Sequence, residues 1–545
     1  MAVRSSYSAR VWGGASAGVP SPPATGTNYF VSNTGDDSKD GLNGSNAWET
    51  IAKVNASSFD PGDTVAFEKG GVWRETLTVP STGTAEGYIT FTSYGAGDDP
   101  RILGSNVSTG WSDEGGNVWS SDTALTDPYG ATDMEVWFEE IGGDITWGTQ
   151  QTYVDLSELT QEYDWCWNAN VVYVFAATDP DARYTSVEVP QRVGLIDLNA
   201  NQYITVDGLE LAYGVAGVGE GTYPTPNFFG LTVKNCHIHH LGTKDGAGYG
   251  VNACTNDMLI EDNEIHDCGR RGLSIYNYGV SNISNIIIQG NEIYNGFHTT
   301  AVDCNAGSVA GANGNISDVI VRSNLMYDTS DRPVSEGSAQ MNFISGDGSG
   351  SGEVTDLDFY NNIVKYVSEQ GVLIEDATRI NIYNNTFYGH NTTIAASTNQ
   401  IQVTDGSLDI LVKNNIFYTL LNFTTNGAGK GLNEGGAQDH TEIDADYNLY
   451  YRIADDLRII FAIGTNYYRT VASFDAMNSA TGWESNSPYP ADPTFTNEGA
   501  DNYHLQTGSP AIGAGVAIAG YTTDYEGVSV SNPPNIGAFE TTEDP

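Results

Sequence analysis

The chain has 545 residues, and its 69 Asp and Glu against 22 Lys and Arg give a formal net charge of −47. So acidic a chain repels phosphate backbones, which excludes nucleic acid as a partner, and it offers no polybasic segment to anionic lipid. Hydrophobic residues make up 39%, with 63 Gly and 31 Tyr; that is enough for a continuous core, in a composition that favours short strands and turns over long helices.

Residues 1–27 lack periodicity and carry no apolar stretch of the kind a secretory signal needs. Pro20-Ser-Pro-Pro23 is a stiff, extended linker. The segment before it, with Arg4, Tyr7, Arg10 and Trp12, is either a docking peptide for a larger assembly or a disordered end. No run of about 18 apolar residues occurs anywhere in the chain, so no membrane span is expected.

Residues 28–109 begin the folded part. Asp36, Asp37 and Asp40 are spaced through a polar loop. They could hold Ca²⁺ through oxygen ligands, or close Asx-turns; no other cofactor is expected. Residues 110–190 differ in character. Trp137, Trp147, Trp165 and Trp167 crowd there beside the strand-like Val171-Val-Tyr-Val-Phe175. This reads as a β-rich insertion whose tryptophans form either a small core or a sugar-stacking platform offered by Trp137 and Trp147.

Residues 191–455 carry the decisive pattern, an internal repeat. Alternating apolar residues lead to an Asn, one further residue, an apolar residue and often an aromatic. The copies include Leu259-Ile-Glu-Asp-Asn263-Glu-Ile265-His266, Ile287-Ile-Gln-Gly-Asn291-Glu-Ile293-Tyr294 and Ile320-Val-Arg-Ser-Asn324-Leu-Met326-Tyr327. Asn362, Asn385, Asn415 and Asn448 continue the slot, and Leu209 and Cys236 fill it earlier. The slots are spaced by 27, 27, 28, 33, 38, 23, 30 and 33 residues, the range of a solenoid. Alternation with period two makes each repeat a coil of short strands. Stacked directly above one another, the Asn amides could bond backbone and the next Asn, satisfying polar groups that the turn buries. His239 and His266 occupy a slot otherwise filled by Tyr294, Tyr327, Tyr388, Tyr418 and Tyr451, as a packed column or as a ligand grip.

Three stretches near the start, Tyr29-Phe-Val-Ser-Asn-Thr-Gly-Asp-Asp-Ser-Lys-Asp-Gly41, Ala47-Trp-Glu-Thr-Ile51 and Gly62-Asp-Thr-Val-Ala-Phe67, followed by Trp73-Arg-Glu75, resemble the opening of right-handed parallel β-helix proteins of the pectate-lyase-like superfamily. Ser509-Pro-Ala-Ile-Gly-Ala-Gly515, Thr523-Asp524 and Asn535-Ile-Gly-Ala-Phe-Glu540 resemble closing segments of the same proteins. The resemblance implies an all-β solenoid with an N-terminal cap beginning near Thr50. Residues 456–545 would then supply the last coils and the closing segment. It says little about activity, because that superfamily hosts lyases, hydrolases, epimerases, phage spikes and adhesins.

The five cysteines, Cys166, Cys236, Cys254, Cys268 and Cys304, are an odd count without paired spacing. Buried thiols are expected, with zinc ligation or a disulfide as alternatives.

No metal-binding His-Glu-x-x-His, phosphate loop or serine nucleophile elbow occurs. Aligning the coils instead nominates one face. The strand after each ladder turn places Asn252, Ser274, Asp303, Asn342 and Leu373 between apolar neighbours, so these should point outward. Ahead of that strand lie His240, Lys244 and Asp245, Arg270 and Arg271, His298, Arg332 and Glu336, and Glu369. A glycoside hydrolase needs two carboxylates, and Asp303 with Glu336 or Asp245 could supply them. A polysaccharide lyase needs a cation and a base, for which Arg270 or Arg271 and His298 or Lys244 qualify. Asn252, Ser274, Asn342, His240 and Arg332 would line a substrate. Salt bridges on a solvated face are the third reading.

The expectation is therefore a polysaccharide-binding solenoid, extracellular or virion-borne. One form is a virion spike or fibre that docks through residues 1–27, forms a homotrimer, and binds or depolymerises host polysaccharide. The alternatives are a secreted lyase or hydrolase, and a structural decoration protein.

Overall fold

The computed structural model describes residues 26–540 apart from 124, 127–134, 152–154, 220–227, 243–247, 278, 280, 296–299, 308–313, 328–339, 347–351, 368–369, 391–398, 405, 420–429, 436–439, 453–460, 464–465, 469–470 and 489. Residues 1–25, Lys244, Asp245, His298, Arg332, Glu336 and Glu369 thus lie outside the described residues.

Successive strands go to three different sheets and then return. Phe228–Lys234, His237–Leu241 and Tyr249–Asn252 make one coil; Thr255–Glu261, Glu264–Cys268 and Arg271–Tyr276 make the next. Among the described residues the first sheet has 12 strands, the second 11 and the third 12. Neighbouring strands within them pair in parallel; the exception is the last strand of the third sheet, Asn466–Tyr468, which runs antiparallel to Phe461–Ile463. Identical places stack coil on coil. Ile238, Ile265, Ile293, Met326, Val364, Phe387, Phe417 and Tyr450 form one inward column of the second sheet. All eight are buried. The core is therefore continuous along the axis, because each apolar side chain packs on its counterpart in the next coil.

The recurrent asparagines do form a ladder. Asn263, Asn291, Asn324, Asn362, Asn385 and Asn415 each donate from Nδ2 to the Oδ1 of the next, over 2.9–3.1 Å. The same Oδ1 also accepts the backbone N–H of the Asn before it, as with Asn263 N to Asn291 Oδ1 at 3.0 Å. A second Nδ2 proton reaches a core-strand carbonyl, as Asn324 does to Ile288 at 3.0 Å. The residue just before each ladder Asn is left-handed: Asp262, Gly290, Ser323, Asn361, Asn384, Asn414 and Tyr447 have φ between 53° and 67°. Six of these seven are not Gly, so the turn carries a conformational cost in each coil, which the fully satisfied amides offset. The row ends at Asn448, whose Nδ2 donates to Glu484 Oε1 at 3.0 Å.

The ends are closed differently. At the N-terminal end Thr50 caps the short helix Ile51–Asn55, its Oγ1 accepting from Lys53 N. Trp48, Ile51 and Val54 join the core there. At the C-terminal end Phe474, Met477 and Trp483 do so. The chain then turns back rather than adding coils. Phe495, Tyr503, Leu505, Ala511, Ile536 and Phe539 cover the outer face of the second sheet at Ile363, Tyr388, Ile416, Tyr418 and Leu449.

The insertion runs from the strand Ser105–Ser108 to Tyr184–Pro190 and builds two small sheets of four and five strands. Trp165 and Trp167 sit in its own core with Phe138, Val172 and Val187. It is tied to the solenoid by Arg74, whose guanidinium pairs both oxygens of buried Glu188 at 2.8 and 2.9 Å. None of the five cysteines forms a disulfide, and all are buried. No described helix is long and apolar enough to cross a membrane.

Candidate functional site

The third sheet carries the column expected to face outward. Val251 and Ala253, Leu273 and Ile275, Val302 and Cys304 all enter the core. Asn252, Ser274 and Asp303 between them therefore lie on the outer side, in register with one another. The next two places belong to Phe343 and Leu373. Asn342 is not in the column. It pairs with Val302, one step earlier, is buried, and donates Nδ2 to Gly371 O at 2.9 Å. A slip of one residue carries a strand side chain to the other face.

Nor is the column an open surface. Asn252, Ser274 and Asp303 are 1%, 1% and 0% exposed. Arg271, from the start of the neighbouring strand, reaches across to them. Its Nε is 2.7 Å from Asp303 Oδ2, its Nη1 is 3.4 Å from Ser274 Oγ, and its guanidinium lies 5.2 Å from the Tyr276 ring centre. Arg270 Nη1 meets Tyr249 OH at 3.3 Å. The Arg271 N–H is not aligned on the carboxylate, and neither Asp303 oxygen completes a hydrogen bond among the described residues. Burial therefore outweighs the two guanidinium charges and pushes the Asp303 carboxyl up to about 6. Such a group holds a proton up to about pH 6, well above an ordinary Asp, and can give it up to a partner, which is what a general acid does.

Two other described residues belong here that the coil alignment did not nominate. Tyr276 follows Ser274 by two, on the same outer side, and its register column continues through Asn305 and Ser345 to Glu375. Counting onward by two from Asp303 and its counterparts would have found both. Glu375 lies two strands from the Asp303 strand, roughly 10 Å across the sheet at inter-strand spacing. The partners first considered for Asp303, Glu336 and Asp245, and the bases His298 and Lys244, lie outside the described residues. So does Arg332.

The remaining nominees are elsewhere. Trp137 is wholly buried against Leu103, Ala212 and Tyr213, so it anchors the insertion on the second sheet rather than presenting a sugar platform. Trp147 stacks on His240 at 5.7 Å and 29°; His240 is itself buried beneath the insertion, not at the mouth of a cleft. Asp36, Asp37 and Asp40 are occupied locally. Asp36 Oδ1 accepts from Ser38 N, Asp40 Oδ1 from Leu42 N, and Asp37 from Glu49 N, Thr50 N and Thr50 Oγ1. They bind turns and the start of the capping helix, and do not converge as a ligand set.

A family model described as the right handed beta helix region matches residues 225–417. The chain is a right-handed parallel β-helix. No curated protein matches it. Among solved structures, a complex of XylC with xylose superposes on the β-helix with a TM-score of 0.53 at 13% identity, covering 94% of this chain and 98% of that one. A glycoside hydrolase superposes with a TM-score of 0.51 at 11% identity, covering 81% and 95%. At such identities the likeness is one of fold. The stretch matched by the family model spans the coils that hold Asn252, Ser274 and Asp303.

Proposed function

We propose that this β-helix protein is carbohydrate-active and hydrolyses glycosidic bonds, with Asp303 as the proton donor to the leaving oxygen. The reading rests on one observation, a carboxyl fully buried on the outer side of the third sheet, 2.7 Å from Arg271 and with no hydrogen bond among the described residues. Likeness in fold to a xylose complex and to a glycoside hydrolase supports the substrate class. Hydrolysis is favoured over elimination because Arg271 already faces Asp303, whereas a lyase needs its cation facing the substrate uronate. The second carboxylate is Glu375, Glu336 or Asp245.

The test is incubation with neutral and acidic polysaccharides and aryl glycosides. New reducing ends without the ultraviolet absorbance of an unsaturated uronate support hydrolysis. That absorbance overturns it in favour of a lyase. Full activity in Asp303→Asn removes the assigned acid.

A virion spike that binds and depolymerises host surface polysaccharide is the narrower form of this reading. It rests on the aromatic leader and Pro-rich linker in residues 1–27. Binding of that segment to phage particles would favour it, and its failure to bind would leave a free enzyme.

A further inference from the structure

We propose that His237, His239 and His266 form a binding site for a divalent first-row transition-metal ion, with zinc as the reference ion, at the seam between the insertion and the second sheet. The chain has 8 His, and four of them meet here. His237 and His239 lie two apart on one strand, and His266 stands beside His239 in the next coil. Each of the three offers one ring nitrogen, and these lie within 4.8 Å of one another. His237 Nε2 and His266 Nε2 are 2.8 Å apart.

Packing alone does not call for imidazoles. The next two coils fill the same column with Tyr294 and Tyr327, stacked on His266 and on each other at 4.6 and 4.9 Å. Tyrosine gives the same stack without bringing bare nitrogens together. The column changes to histidine where the insertion meets the sheet.

A second, independent observation is the set of carboxylates behind the rings. His266 Nδ1 is 2.7 Å from Asp267 Oδ2, and Asp267 Oδ1 in turn accepts from Trp147 Nε1 at 3.3 Å. His239 Nε2 is 3.4 Å from Glu210 Oε1, which Arg101 Nε holds at 2.7 Å. A carboxylate on one ring nitrogen fixes the tautomer and turns the other nitrogen's lone pair toward a metal. For His266 that leaves Nε2 directed at His237; for His239 it leaves Nδ1, which lies 2.8 Å from His240 Nδ1.

Three imidazoles select zinc, copper or nickel over calcium and magnesium, which take oxygen ligands. A tetrahedral ion with bonds of about 2.0–2.1 Å keeps its ligand atoms roughly 3.3 Å apart. The His237 and His266 rings must then part by about 0.5 Å from their 2.8 Å approach. Because Trp147 belongs to the insertion, an ion here would also fix the insertion against the solenoid.

The experiment is calorimetric titration of chelator-treated full-length protein with zinc chloride, followed by X-ray absorption at the zinc edge. One ion per chain with imidazole ligation is expected. His237→Gln and His266→Gln should each weaken binding at least tenfold, and Asp267→Asn by about 10–100-fold, with far-UV circular dichroism unchanged. A folded wild-type protein that takes up no zinc overturns the proposal, as does undiminished binding in both histidine variants. Should a variant misfold, the wild-type absorption spectrum decides: sulfur or all-oxygen ligation overturns the site, imidazole ligation upholds it.

Discussion

Arg271 Nε stands 2.7 Å from Asp303 Oδ2, yet the carboxyl keeps its proton up to about pH 6. Proximity of charge is not sufficient when the hydrogen-bond line is missed and the acid is fully desolvated. The pair is thus tuned between two opposing forces, and removing either partner shifts it in a known direction.

Asp303→Asn should lower hydrolytic kcat by about 10²–10⁴-fold, the usual worth of a general acid, while thermal melting stays near wild type. A general acid works only while protonated, so wild-type kcat/KM should fall as pH rises through about 6. In Arg271→Gln the cation that favours ionisation is gone, and the alkaline limb of the profile should move to higher pH. An unchanged limb would exclude Asp303 as the titrating group.

The ladder's terminal carboxylate makes stability depend on pH. Burial pushes Glu484 up to about 7, against hydrogen bonds from Ser487, Tyr450 and Asn448. A raised carboxyl stabilises the fold fully below its unfolded value of 4.5 and loses that contribution as pH rises through about 7. Relative to Glu484→Gln, the wild type should therefore lose roughly 3 kcal/mol between pH 4 and pH 8. Urea denaturation of both proteins at several pH values measures the difference.

Asn324→Ala removes an amide from the middle of the row. It takes from Asn291 the acceptor of its backbone N–H and one of the three acceptors of its Nδ2, and from Ile288 O a side-chain donor. At about 1–3 kcal/mol for the buried N–H left unpaired and about 1 kcal/mol for each further bond lost, the loss should be roughly 3 kcal/mol or more, read from the denaturation midpoint. Ser323→Gly, one residue earlier at φ 54°, should be neutral or mildly stabilising because glycine adopts that conformation without strain.

Arg74→Ala leaves Glu188 buried, with Ser105 Oγ and Ser186 Oγ as its remaining partners. A buried carboxylate deprived of its cation costs roughly 3 kcal/mol or more. The insertion should then melt ahead of the solenoid, seen as a separate calorimetric transition and as faster proteolysis between residues 105 and 190.

The solenoid was legible because its determinants are periodic. The asparagine slots, the inward column through Ile238, Ile265 and Ile293, and the Thr50 cap each repeat or resemble a local signature, and one residue's place predicts the next. The candidate site was legible only in part. Asp303 and Ser274 followed from alternation, but Asn342 did not, since a single-residue slip in its strand leaves no mark on an apolar-polar pattern. Burial of His240 beneath Trp147 depends on how the insertion docks, a contact between residues 93 positions apart that periodicity does not encode. The same holds for the C-terminal stretch, which reads as the last coils and a closing segment but whose apolar residues from Phe495 to Phe539 lie across the outside of the coils already built.

The ladder also has a direction. Every side-chain amide points its N–H toward the next coil, so the amide dipoles add along the axis and their positive end falls at Asn448, where the Glu484 carboxylate meets it. The two ends of the solenoid are consequently not interchangeable. Coils can be duplicated or spliced anywhere along the row, because each new amide receives from one neighbour and gives to the other. Truncation at the far end, in contrast, strands a donor in the interior unless a hydrogen-bond acceptor travels with it.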